Sequence, residues 1–205
     1  MLKNWQEVLE NAFSVFNEVY FGNTLPMPVI TMQSSRKSYG HFTVGKIWRA
    51  EDQHLNEINI SVEHLDRPIE NIMATLMHEC IHYYCQLNNI QDTSKNGTYH
   101  NKKFKSEAEK RGLIITNAKY IGWSVTEPSE QFIDVLEEYG ITKPIDMNRD
   151  GAIIDIPITG TPTPKRKTST RKYICPCCGN SFRATKDINV LCLDCNEQFI
   201  KDDRQ

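Results

Sequence analysis

The chain has 205 residues, 39% hydrophobic and 24% charged, with a formal net charge of -2. That length accommodates one sizeable domain and an appendage. The charge balance excludes a globally basic nucleic-acid binder, and no apolar run approaches the roughly 20 residues of a membrane span. The opening "MLKNWQEVLENAF" carries early acids and no apolar h-region. It therefore reads as no secretion signal, and a cytoplasmic, intracellular location is expected, with no membrane partner.

Trp5, Val8, Leu9, Ala12, Phe13, Phe16, Val19 and Tyr20 recur at helical spacing, and Gly22 follows as a stop. An amphipathic helix is expected over about residues 4–21. Pro26 and Pro28 then break helix and lead to a strand near Val29 to Met32. "SYGHFTVGKIW" and "EINISVEHL" read as two further strands, which gives a small sheet of about three. Asp66 offers an N-cap and Pro68 fits a first helical turn. Ile69, Ile72, Met73, Leu76, Met77, Cys80, Ile81 and Tyr84 then form an apolar stripe to about Leu87. "NNIQDTSKNGTYH" is a polar loop. "NKKFKSEAEKRG" and "EPSEQFIDVLEEYG" are two short helices, each closed by a glycine.

On the long helix His78-Glu79-Cys80-Ile81-His82 reads H-E-x-x-H. His78 and His82 project from one face, a turn apart, away from the apolar stripe and beside Asn71, Thr75 and Gln86. Two imidazoles so placed can ligate one zinc ion. Glu79 can then act as general base toward a water while zinc polarises the scissile carbonyl. A catalytic zinc needs a third protein ligand and an open position. His100 at the start of the next helix is one candidate, and Glu107 or Glu109 on that helix is another. His41, His54 and His64 read as ordinary surface or strand histidines.

The C-terminal region is separate. Residues 1–159 carry 15 basic and 21 acidic side chains, whereas "GTPTPKRKTSTRK" has five basic residues and no acid. Residues 142–172 read as a flexible basic linker. Its Lys165, Arg166, Lys167, Arg171 and Lys172 are candidates for non-specific DNA phosphate contact, with support from Lys102, Lys103, Lys105, Lys110 and Arg111. Beyond it, Cys175/Cys178 and Cys192/Cys195 form two C-x-x-C pairs 13 residues apart, with Gly179 allowing a knuckle turn. Four thiolates in that pattern make a closed, structural zinc site. A piece of about 30 residues needs such a metal to fold. Cys177 is an alternative ligand to Cys178, while Cys80 and Cys85 read as small buried thiols.

The runs "INISVEHLDRPIENIMATLMHECIHYY" and "YHNKKFKSEAEKRGL" resemble the SprT-like family, which includes bacterial SprT and the eukaryotic Spartan proteases. "VFNEVYFGNTLPMPVI" resembles the family's opening, and the cysteine pairs resemble the zinc ribbon of many bacterial members. The resemblance, which leaves out the linker and about residues 115–160, implies an α+β, zincin-like metallopeptidase domain, taken as 1–141; composition gives the linker over 142–172 and cysteine spacing the ribbon over 173–205. The resemblance also implies His100 as third zinc ligand, placed before Phe104. Asn101 stands where a glycine often follows that histidine.

The expected function is a zinc metalloendopeptidase holding one catalytic and one structural Zn2+, acting on a protein or peptide substrate. The "EINIS" strand is a candidate edge for aligning an extended substrate. The resemblance further implies action on proteins bound or crosslinked to DNA. The alternative is a nucleic-acid-binding, transcription- or stress-associated zinc-ribbon protein with a non-catalytic zincin domain.

Overall fold

The computed structural model describes residues 2–35, 37–145 and 171–202. The chain divides into two compact units, Met1–Ile153 and Ile154–Gln205. The first is a mixed helix–sheet unit. Its opening helix α1 (Leu2–Phe21) buries Leu9, Ala12, Phe13 and Phe16 at the spacing the sequence sets out. After α1 the backbone turns through left-handed Gly22 and Asn23. The Asn17 side chain holds that turn: its Nδ2 donates to the Leu25 carbonyl (2.8 Å) and its Oδ1 accepts from the Leu25 N–H (3.0 Å).

Three strands follow: β1 (Val29–Gln33), β2 (Gly40–Ala50) and β3 (Gln53–Ser61). Their order is β1-β3-β2, with β1 parallel and β2 antiparallel to β3. Ile30, Ile58 and Ile60 are buried in the core, as alternation requires. The "EINIS" residues lie in β3, which is central and paired on both sides. It therefore offers no free edge; β1 and β2 are the edges, and β2 is the one that lines the groove described below.

From the middle of a short 3-10 turn (Val62–His64), Glu63 clasps the loop ahead of β2. Its carboxylate accepts from the Ser34 hydroxyl, the Ser35 N–H (2.9 Å) and the Ser61 hydroxyl (3.0 Å). The Ser34 bond, aided by the others, holds the carboxyl down at about 2, below its ordinary 4.5. A depressed acid contributes stability that is complete above the unfolded value and lost as pH falls through the folded one. The melting difference between wild type and Glu63→Gln is thus expected to be full near neutrality. It should shrink in acid melts between pH 4.5 and about 2.

Helix α2 (Ile69–Leu87) begins two residues later than an Asp66 N-cap implies and one later than a start at Pro68. Pro68 has ψ 142°, which puts it at the cap outside the helix, and no side chain caps the end. α2 packs on α1 and β2. A second sheet, which the sequence reading did not anticipate, lies beyond it. Its strands are β4 (Thr93–Ser94), β5 (Tyr99–His100), β6 (Leu113–Ala118) and β7 (Gly122–Pro128), in the order β4-β5-β7-β6. Helices α3 (Lys102–Glu109) and α4 (Glu130–Glu138) are capped by Asn101 and Ser129, whose side chains accept from N–H groups of the first turn. Asn101 thus brings to the cap a side-chain acceptor that a glycine lacks. Ile141 and Ile145 are buried with this core.

The second unit contains β8 (Arg171–Ile174), β9 (Ser181–Ala184), β10 (Leu191–Cys192), β11 (Glu197–Gln198) and β12 (Ile200–Lys201). They form two small sheets, β12-β8-β9 and β10-β11. Arg171 and Lys172, read as linker, belong to β8. Arg171 pairs with Asp187 (2.9 Å) and Lys172 with Asp202 (3.7 Å). Lys165, Arg166 and Lys167 lie outside the described residues.

Candidate active site

α2 presents His78 and His82 one turn apart, and β5 delivers His100 opposite them. The Nε2 atoms of His78 and His82 each stand 3.1 Å from Nε2 of His100. Two nitrogens bound tetrahedrally to zinc at about 2.0–2.1 Å lie roughly 3.3 Å apart, so the spacing suits one ion. The outer nitrogens decide the protonation. His82 Nδ1 lies 2.5 Å from Asp92 Oδ2, and His100 Nδ1 lies 3.3 Å from the Ile121 carbonyl. Both partners only accept, so both Nδ1 atoms carry the proton. His78 Nδ1 meets the Thr126 hydroxyl at 2.8 Å, and that hydroxyl donates onward to the Ser124 carbonyl (3.3 Å), so it accepts from His78. All three Nε2 lone pairs then face one point with no proton between them. Such an arrangement is repulsive without a cation and is the donor set that zinc takes.

Burial favours the neutral form of two of the rings. It pushes His78 well below its ordinary value and His100 down to about 4, with the neighbouring histidines adding to the effect. Phe104, fully buried, forms the floor, with its ring centroid 4.4, 4.7 and 4.8 Å from those of His78, His82 and His100. Glu107 and Glu109 do not join the group. Glu107 pairs with Lys110 and Arg111 (both 2.7 Å), and Glu109 with Lys105 (3.4 Å).

Glu79 is one residue past His78 and so is turned by about 100° toward β2. It is buried, at 5% exposure, and desolvation raises its carboxyl to about 7 against an opposing pull from His82 and the Phe42 backbone. The side of the helix that carries Thr75 and Glu79 is therefore covered, while His78 and His82 are only partly so. β2 reaches it because Gly40 has no side chain: a Cβ there would stand 2.9 Å from the Asn59 carbonyl and 3.3 Å from Glu79 Cγ. A groove of about 1010 Å³ opens over the site. Gly40, Phe42 and Val44 of β2 form one wall, and Ser124, Val125 and Thr126 of β7 form the other.

In the second unit the ligand atoms of Cys175, Cys178, Cys192 and Cys195 lie within 4.8 Å of one another. Cys178 and Cys192 Sγ are 3.8 Å apart, which is about the S···S separation of tetrahedral zinc–thiolate bonds. Cys177 is exposed and outside this group. Cys80 and Cys85 are fully buried.

Residues 9–119 match the SprT-like family. The chain belongs to that family. No curated protein and no solved structure gives a significant match. The matched span includes the SprT-like H-E-x-x-H helix, His100 and Phe104, but ends before β7 and the ribbon.

Asp92, Thr126 and the Ile121 carbonyl were not legible as ring-holding partners. No spacing rule marks Asp92 in its polar loop, and the other two come from the unanticipated second sheet. Asp92→Asn is expected to weaken metal binding at the three-histidine site by about 10–100-fold, since it replaces the charged acceptor behind His82. Competition with a zinc-binding dye checks this. Among the described residues no helix is long and apolar enough to cross a membrane.

Proposed function

We propose that the chain is a zinc-dependent metalloendopeptidase of zincin type, with Glu79 as general base. The supporting observation is the convergence of three proton-free Nε2 atoms beside a buried carboxylate on the floor of an open groove. When bound there, a zinc ion supplies Lewis acidity toward a carbonyl and makes water a better nucleophile. The chain's own residues do the rest. Asp92, Thr126 and Ile121 orient the rings. Glu79, held near neutrality, accepts a proton from water and returns it to the leaving amine. The edge of β2 aligns an extended polypeptide by backbone hydrogen bonds. The four cysteines hold a second, structural zinc in a ribbon. The peptidase domain extends to about residue 145 and the ribbon begins at about Arg171, with the basic linker between them.

Metal analysis is expected to find two zinc ions per chain, one of them lost in His78→Ala/His82→Ala. Zinc-loaded protein should cut an unfolded test protein, and a chelator should stop it. One zinc, unchanged by those substitutions, would sink the catalytic site. Action on DNA-bound proteins is the finer proposal, supported by the basic linker alone. It predicts faster cleavage when substrate and enzyme share one DNA strand, with an acceleration that fades as salt rises. Absence of cleavage alongside normal DNA binding would favour the non-catalytic zinc-ribbon alternative.

A further inference from the structure

We propose that Arg67 is a specificity subsite for a carboxylate side chain of the polypeptide in the groove, about two residues from the bond that is cut. The inference rests on the peptidase reading and names a preference within the same cleft. Arg67 lies in the loop ahead of α2 and lines the groove, as does Lys37. Its Nε donates to the His64 carbonyl (2.9 Å) and one Nη to the Thr75 hydroxyl (3.2 Å). The other Nη makes a long bond to the Asn71 carbonyl (3.5 Å). The guanidinium stacks 4.0 Å from the Tyr39 ring centroid, and Tyr39 meets His64 edge-on at 4.9 Å.

The group is thus fixed in place before anything binds, so little side-chain entropy is left to lose. All three hydrogen-bond partners are neutral oxygens. Asp66 acts on it at a distance, but among the described residues no carboxylate forms an ion pair with it. Burial works against its charge. A guanidinium has five N–H groups, and three point at protein oxygens. Thr75 Oγ1 and the Asn71 carbonyl are 3.0 Å apart, so they take the paired Nη edge, and each Nη keeps one N–H that can donate to a carboxylate oxygen in a charge-assisted bond.

Position sets the distance. Thr75, which holds Arg67, is one helical turn before Glu79, or about 6 Å along the axis. An extended peptide advances about 3.3 Å per residue, hence the two-residue offset. The groove's carboxylates Glu79 and Asp92 belong to the metal centre, so the Arg67 end is the cationic one. A nucleic-acid phosphate also suits a guanidinium. The carboxylate is favoured because Arg67 is tied to the helix that carries Glu79, inside the cleft and not on an open face.

The test uses peptides that differ only by Asp or Asn at each position within three residues of the cut bond. Cleavage is measured with the zinc-loaded full chain, and binding by fluorescence polarisation with the Glu79→Gln chain. One position should favour Asp by about tenfold. Arg67→Gln should bring that ratio to about one, and Arg67→Glu should turn the preference toward Lys. Melting curves report whether the variants fold. If Arg67→Gln does not, Arg67→Lys, which keeps the charge and loses the planar guanidinium, should lower the ratio part of the way. Cleavage with no Asp preference anywhere overturns the subsite and leaves the peptidase reading standing. An Arg67-dependent Asp preference in binding, with no cleavage by wild type, keeps the subsite and removes the peptidase reading. If Arg67→Gln instead loses affinity for a single-stranded oligonucleotide while the peptide ratio stays flat, the carboxylate assignment is overturned in favour of phosphate.

Discussion

Gly122→Ala is expected to empty the three-histidine site while the four-cysteine site stays loaded. Gly122 has φ +74°, and a Cβ there would stand 2.2 Å from the His100 carbonyl oxygen and 2.9 Å from the Tyr99 ring. The residue opposite is a metal-ligand candidate: His100 pairs with Gly122 across β5 and β7. The His100 N–H and ring Nδ1 both address the Ile121 carbonyl. Any displacement that relieves the clash therefore moves His100 Nε2 off the common point. Left-handed backbone costs an alanine about 1–2 kcal/mol. Forced repacking adds about 1–3 kcal/mol, so a loss of about 2–5 kcal/mol is expected in urea unfolding. Zinc per chain should fall from two to one. Gly140→Ala is the control, because Gly140 also has positive φ (+68°), but a Cβ there would meet nothing within 4 Å. It should lose stability and no metal. Full zinc occupancy and full activity in Gly122→Ala would remove His100 from the ligand set.

That dependence on Gly122 explains how much of the site was legible in the sequence. His78, Glu79 and His82 sit on one helix, so a local period of 3.6 residues reveals their relation. His100 comes from another element, and only its resemblance to a family pattern singled it out over Glu107 and Glu109. The first sheet was readable because Ile58 and Ile60 alternate with Asn59 and Ser61. Which of its strands is central was not, since order in a sheet is set by pairing across long separations. β6 and β7 were missed for a related reason. β6 alternates buried Leu113 and Ile115 with exposed neighbours, but the two strands are joined through Tyr120 at φ 75°, a turn that no Asn-Gly or Asp-Gly pair signals. Arg67 was passed over because its setting is tertiary. Tyr39, His64 and Thr75 meet around it only once β2 lies against α2. In the ribbon the reverse holds: C-x-x-C spacing is local, so four cysteines separated by one loop were readable as a group.

Glu79→Gln is expected to lower cleavage by about 10²–10⁴-fold while both zinc ions remain. The ring nitrogens define the candidate metal group without Glu79, so a change there removes no ligand. Glutamine has the same shape and fits the same buried space beside Gly40. Its amide oxygen can still accept from the Phe42 backbone, so packing is kept. What it cannot do is take a proton from water near neutral pH. A loss of rate with metal content and melting temperature unchanged would therefore isolate proton transfer from metal binding. His78→Ala gives the contrast, since it should lose the ion and the rate together. Glu79→Asp tests position: it keeps the acid but draws it back by one methylene, about 1.5 Å. It should fall between wild type and Glu79→Gln, because a base must lie within hydrogen-bond reach of the proton it takes. If Glu79→Gln cuts as fast as wild type, the base lies elsewhere in the groove. The burial that lifts Glu79 would then be a by-product of β2 packing on α2 and not part of the chemistry.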